Sequence, residues 1–76
     1  MQAELLTTEG CHLCDQALDV IRRAAPLLEL TLVDIAEDDE LIEQYGEKIP
    51  VLRTSGRELC WPFGLLDVRM LVTSQR

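Results

Sequence analysis

The chain has 76 residues, a hydrophobic fraction of 47% and a formal net charge of −7. That length holds one small domain, residues 1–76, with only marginal stability from its core. The charge leaves no broad face to neutralise phosphates and so excludes nucleic acid as a partner. No apolar run is long enough to cross a membrane. Met1 to Thr8 lacks the basic and extended apolar regions of a secretory leader, so a cytoplasmic location is expected.

Residues 3–7 read as a short strand, and Thr8-Glu9-Gly10 as the turn that follows. From Cys11 or His12 to Ala25 the pattern is helical, with Leu13, Ala17, Val20, Ile21 and Ala24 on one face. Asp15 in the first turn and Arg22 and Arg23 in the last suit the helix dipole, and Pro26 stops the helix. Residues 28–34 alternate, which predicts a strand with one more polar face at a sheet edge. A short helix follows from Asp38 or Asp39 to Tyr45, with Leu41, Ile42 and Tyr45 as its apolar stripe and Gly46 at a left-handed C′ position. Residues 50–54 and 57–61 are two strands joined by a Ser55-Gly56 turn. Pro62-Phe63-Gly64 breaks the pattern, and residues 65–73 form a last helix with Leu65, Val68 and Leu71 or Val72 at helical spacing. The order β-α-β-α-β-β-α predicts an α/β fold: one four-stranded mixed sheet with helices on both faces.

The chemistry centres on Cys11-His12-Leu13-Cys14, a Cys-x-x-Cys after a strand and at the start of a helix. Two thiols at this spacing can close a disulfide. The first lies where unpaired N–H groups and the helix dipole stabilise a thiolate, the form that performs disulfide exchange. Cys11 is therefore expected to be the nucleophile, and Cys14 the thiol that attacks the Cys11 sulfur to resolve a mixed disulfide. In a reducing cytosol such a pair reads as transient and catalytic. His12, when protonated, favours the Cys11 thiolate; the alternative is an exposed ring that contacts solvent. Cys60 is out of phase with Leu59 and Trp61 and is expected to be buried. Trp61 and Phe63 read as core or rim packing. Seven of the 14 acidic residues fall between Asp34 and Glu47. They read as a solvated helix start or as a surface that selects basic partners.

With these residues the sequence resembles a small glutaredoxin-like protein of the thioredoxin superfamily. The features that carry the resemblance are Cys11-x-x-Cys14, Lys48-Ile49-Pro50-Val51 and the Thr54-Ser55-Gly56 turn before the last helix. More narrowly, Val33-Asp34-Ile35, Leu41-x-x-x-Tyr45-Gly46 and Ile49-Pro50-Val51-Leu52 resemble a bacterial glutaredoxin-like family. The resemblance implies a thioredoxin-like fold and a cis Pro50 facing the Cys-x-x-Cys, with the Ile49 backbone free to pair with a substrate. It also implies that Asp67 is the partner of a γ-glutamyl group.

The chain departs from the glutathione-using pattern at three places. Glu9-Gly10 stands where a basic residue precedes the first cysteine, and His12-Leu13 stands for Pro-Tyr. Pro62-Phe63-Gly64-Leu65-Leu66-Asp67 offers one glycine and one carboxylate.

The function expected is thiol–disulfide exchange on protein disulfides or glutathione mixed disulfides by a monomer with no bound cofactor or metal. Glutathione or a thioredoxin-type reductase would supply electrons. The alternatives are a non-catalytic thioredoxin-like binding module, or a dimer bridged through the Cys-x-x-Cys by zinc or an iron–sulfur cluster; one chain alone lacks four zinc ligands.

Overall fold

A computed structural model describes residues 2–54 and 56–73. The strands are β1 (Gln2–Thr7), β2 (Glu29–Asp34), β3 (Val51–Thr54) and β4 (Arg57–Cys60); the helices are α1 (His12–Ala24), α2 (Asp39–Tyr45) and α3 (Leu65–Thr73). A 3-10 turn, Ile35–Glu37, absent from the sequence expectation, precedes α2. The strand order is β2-β1-β3-β4, which puts β2 at an edge as its half-polar pattern predicts. β1 pairs parallel with β2 and antiparallel with β3, and β3 pairs antiparallel with β4. The C-terminal ends of β1, β2 and β4 and the start of β3 therefore share one end of the sheet.

Alternation in β1 builds both faces at once. Ala3 and Leu5 join Ala17, Ile21, Leu52, Phe63, Val68 and Leu71 in the core under α1 and α3. Leu6 joins Ile35 and Val51 on the other face, with Leu41 and Tyr45 of α2 packed against them. Leu5, Leu6, Ile21, Leu52, Val51 and Val68 are fully buried, each worth about 1.5–3 kcal/mol of apolar transfer. Thr54 is a buried polar residue, and its hydroxyl donates to the Gln2 carbonyl at 2.8 Å.

Sequence expectations at five residues are corrected. Leu13 is 47% exposed, because the buried stripe of α1 runs through Cys14, Ala17, Ile21 and Ala24 and leaves Leu13 about 100° off it. Ile42 and Leu65 are likewise exposed. Gly46 has φ −51° and ψ −34°, so it continues the helix and is not left-handed. Glycine fits there for a steric reason, since a Cβ would lie 2.5 Å from the Ile42 carbonyl oxygen. Cys60 is exposed. It pairs with Val51 on the α2 face but sits on the edge strand, and its neighbours Glu58 and Arg57 are also exposed. Ser55 of the expected hairpin turn lies outside the described residues, while Gly56 has φ +80°.

Candidate redox site

Gly10, with φ +75°, turns the chain from β1 into α1; a side chain is disfavoured in that conformation. Cys11 then takes the N-cap position, with extended backbone, and its Sγ accepts the Cys14 N–H at 3.1 Å. Cysteine is not a usual capping residue, so the spacing alone did not reveal this role. Cys11 and Cys14 are joined in a disulfide with Cα atoms 5.2 Å apart. Cys14 is 5% exposed and belongs to the buried stripe of α1, whereas Cys11 is half-buried. His12 is exposed as the first residue of the helix.

The Ile49–Pro50 peptide bond is cis, as the resemblance implies; the Trp61–Pro62 bond is also cis, which the sequence did not suggest. Leu6 pairs with Val51, and continuing that register places Pro50 opposite Thr7, at the end of the strand that leads to Cys11. The Pro50 carbonyl accepts the Trp61 N–H at 3.1 Å, which ties the end of β4 to the same segment. Trp61 packs edge-on against Phe63 with ring centroids 5.0 Å apart.

The Ile49 backbone is not wholly free. Its N–H donates to the Tyr45 carbonyl at 3.1 Å, and the Lys48 N–H donates to the same oxygen at 2.8 Å. The N–H that an incoming substrate strand would take is thus occupied by the turn that closes α2. Tyr45 also anchors that turn from its side chain, because its hydroxyl donates to the Glu58 carboxylate. This bond holds the phenol above its usual pKa, with desolvation adding to the rise.

Asp67 caps α3: its Oδ2 accepts the Gly64 N–H at 2.8 Å while the Gly64 carbonyl accepts the Val68 N–H. Arg53 does not serve the disulfide. Its Nε and Nη2 donate to Glu4 Oε1 at 3.1 and 2.8 Å across β1 and β3, and the carboxylate raises the guanidinium pKa further. Arg57 begins β4, at the opposite end of the sheet.

Residues 2–71 match the glutaredoxin-like domain (DUF836). The chain belongs to this glutaredoxin-like family. It is similar to the X-ray structure of target protein XcR50 from X. campestris at 36% identity, with a TM-score of 0.86 over 97% of this chain and 99% of that one. The solution structure of XcR50 gives 36% identity and a TM-score of 0.86 over 100% and 97% of the two chains. A malarial protein shares 13% identity at a TM-score of 0.60, covering 96% and 93%, which is likeness of fold alone. No curated protein matches the chain. The glutaredoxin-like sheet keeps the disulfide of this family member at the end where β1, β3 and β4 converge. Among the described residues no helix is long and apolar enough to cross a membrane.

Proposed function

We propose that this glutaredoxin-like protein is a thiol–disulfide oxidoreductase whose reaction runs through Cys11 and Cys14. The observation that carries the reading is a disulfide with unequal members: one sulfur half-exposed at a helix start, the other buried one turn along. In the reduced protein, the Cys11 thiolate attacks one sulfur of a substrate disulfide. A mixed disulfide forms, and the other substrate sulfur leaves as a thiolate that takes up a proton. The Cys14 thiol, on losing its proton, attacks Cys11 Sγ. The second substrate thiol leaves and the Cys11–Cys14 disulfide closes, so two electrons have passed to the substrate. A thiol reductant, glutathione or a reductase dithiol, restores the pair.

In this reading the helix N-terminus and the Cys14 N–H stabilise the Cys11 thiolate, and protonated His12 adds to that. Ile49 and Pro50 form the segment against which substrate docks. Asp67 is the candidate γ-glutamyl contact, in competition with its role as a cap. The protein would act in the cytoplasm as a monomer.

The test is to poise the pair in glutathione redox buffers and measure its reduction potential. Reduction by glutathione and by a thioredoxin reductase should then be compared side by side. A pair that cycles reversibly and passes electrons to a disulfide substrate supports the reading. A pair inert to dithiothreitol and to every disulfide offered would overturn it.

A further inference from the structure

Charge is unevenly distributed along the strand axis. Four connections meet at the disulfide end of the sheet: residues 8–11, 35–38, 46–50 and 61–64. Between them they hold Glu9, Glu37, Asp38 and Glu47, all exposed, against a single basic residue, Lys48. The opposite end carries Arg22 and Arg23 in the last turn of α1, and Arg57 at the start of β4.

Folding accounts for part of this polarity. Asp34 accepts the Ala36 N–H, and Asp38 accepts the N–H groups of Glu40 and Leu41, so both are capping groups. It does not account for Glu9, Glu37 and Glu47, whose side chains make no hydrogen bond or ion pair among the described residues. The ion pairs that do form lie elsewhere: Arg23 with Asp19 at 3.0 Å on α1, and Arg53 with Glu4 at 2.8 Å in mid-sheet. The half-buried Cys11 thus shares its end of the sheet with these unpaired carboxylates, and the exposed Leu13 and half-buried Trp61 add apolar surface to the same end.

We propose that this acidic rim makes cationic protein disulfides, those flanked by Lys and Arg, the preferred partners of Cys11–Cys14 and disfavours anionic ones, glutathione disulfide included. This selectivity presupposes the exchange reaction proposed above. Its physical basis is steering. Like-signed charge around a reactive group raises the local concentration of oppositely charged partners, by tenfold or more at low salt, and the effect fades as salt shortens the screening length. The apolar surface at the same end suits the side chains of a protein chain better than it suits a small anion.

The experiment uses the fully reduced protein in single turnover against three disulfide peptides of one core sequence, carrying net charges of about +4, 0 and −4. Peptide thiol released is followed by mass spectrometry at low and moderate salt. The cationic peptide should react roughly tenfold faster than the anionic one at low salt. Added salt should slow the first and speed the second. The exposed triple variant Glu9→Gln/Glu37→Gln/Glu47→Gln should narrow the gap between the cationic and anionic peptides when each rate is taken relative to the neutral peptide with the same protein, which removes any change in Cys11 reactivity common to all three. Equal rates for the three peptides, or an order that neither salt nor the triple variant alters, would overturn the selectivity while leaving exchange intact. No reaction with any peptide would overturn exchange and, with it, the selectivity.

Discussion

Asp67 has two competing assignments, and one substitution separates them. The fold gives it the cap of α3, through a carboxylate that takes the Gly64 N–H at 2.8 Å. The family resemblance gives it a substrate's γ-glutamyl group. Asp67 is the N3 half of a capping box, and removing such an element costs roughly 0.3–1.5 kcal/mol. The bond is exposed, which favours the lower half of that range. Stability of roughly 0.05–0.15 kcal/mol per residue gives a chain of this size a total of about 4–11 kcal/mol, so the loss is a measurable fraction. In a domain this small, about 1 kcal/mol moves Tm by roughly 4–8 °C. Asp67→Ala should therefore lower Tm by several degrees. Asp67→Asn, which keeps an acceptor and loses only the favourable charge at the helix start, should fall by less. Thermal unfolding by circular dichroism reads this directly, and glutathione-dependent turnover is measured on the same samples. An unchanged Tm in Asp67→Ala, together with a several-fold rise in KM for a glutathione substrate, would refute the capping argument and restore the substrate role.

Three further outcomes are expected. In the reduced protein, iodoacetamide should label Cys11 faster than the buried Cys14 at mildly acidic pH, and Cys14→Ser, but not Cys11→Ser, should accumulate mixed disulfides; equal labelling and equal trapping would reverse the assignment. Leu52→Ala, at a fully buried position in the middle of the sheet, should cost about 2–5 kcal/mol in urea unfolding, and a loss well under about 1 kcal/mol would contradict the packing described. Tyr45→Phe should lose about 0.5 kcal/mol at neutral pH, the low end for a hydrogen bond, because the phenol is only half-buried. The raised phenol pKa stabilises the fold below the usual value of 10.0, and that contribution is lost as pH rises through the folded-state value. Wild-type stability should consequently fall more steeply above about pH 10 than that of Tyr45→Phe, and parallel curves would rule out the Tyr45–Glu58 bond as the cause.

Much of the fold was legible because the chain is patterned simply. The alternation in residues 28–34, the α1 stripe through Ala17, Ile21 and Ala24, and Pro26 after the helix all report local geometry that packing did not override. The Cys-x-x-Cys was visible because its spacing is chemical as well as structural. What escaped depends on non-local neighbours. The phase of Cys60 relative to Leu59 and Trp61 correctly put it on the other face of the sheet, but whether that face is covered depends on β4 lying at the edge. The Ile49 N–H looked available because the turn after Tyr45 closes on it through a backbone carbonyl, a bond that leaves no mark in the side-chain pattern. Leu13 looked like core because a one-residue shift of a helical stripe is nearly invisible when Cys14, itself a small apolar residue, can take the place.

The departures from the glutathione-using pattern acquire a common physical sense once the charges are placed. A small anion entering the disulfide end needs cations there. Lys48 is the one basic residue in the connections there, against Glu9, Glu37, Asp38 and Glu47; Arg53 is committed to Glu4, while Arg22, Arg23 and Arg57 stand at the other end of the molecule. Glu9 replaces the expected basic residue, and Asp67 is already bonded to Gly64. The short 3-10 turn and α2 add carboxylates of their own, since Asp34 caps the first from the end of β2 and Asp38 caps the second from the connection at the same end. Helix starts favour acidic residues because their N–H groups are unpaired. With the 3-10 turn, α2 and α3 all starting at one end of the sheet, capping by Asp34, Asp38 and Asp67 biases that end towards negative charge. Glu9, Glu37 and Glu47 carry the bias past what capping requires. That excess is the part of the field that substitution can remove without unfolding the helices, which makes it the proper handle for separating a role in substrate choice from a role in stability.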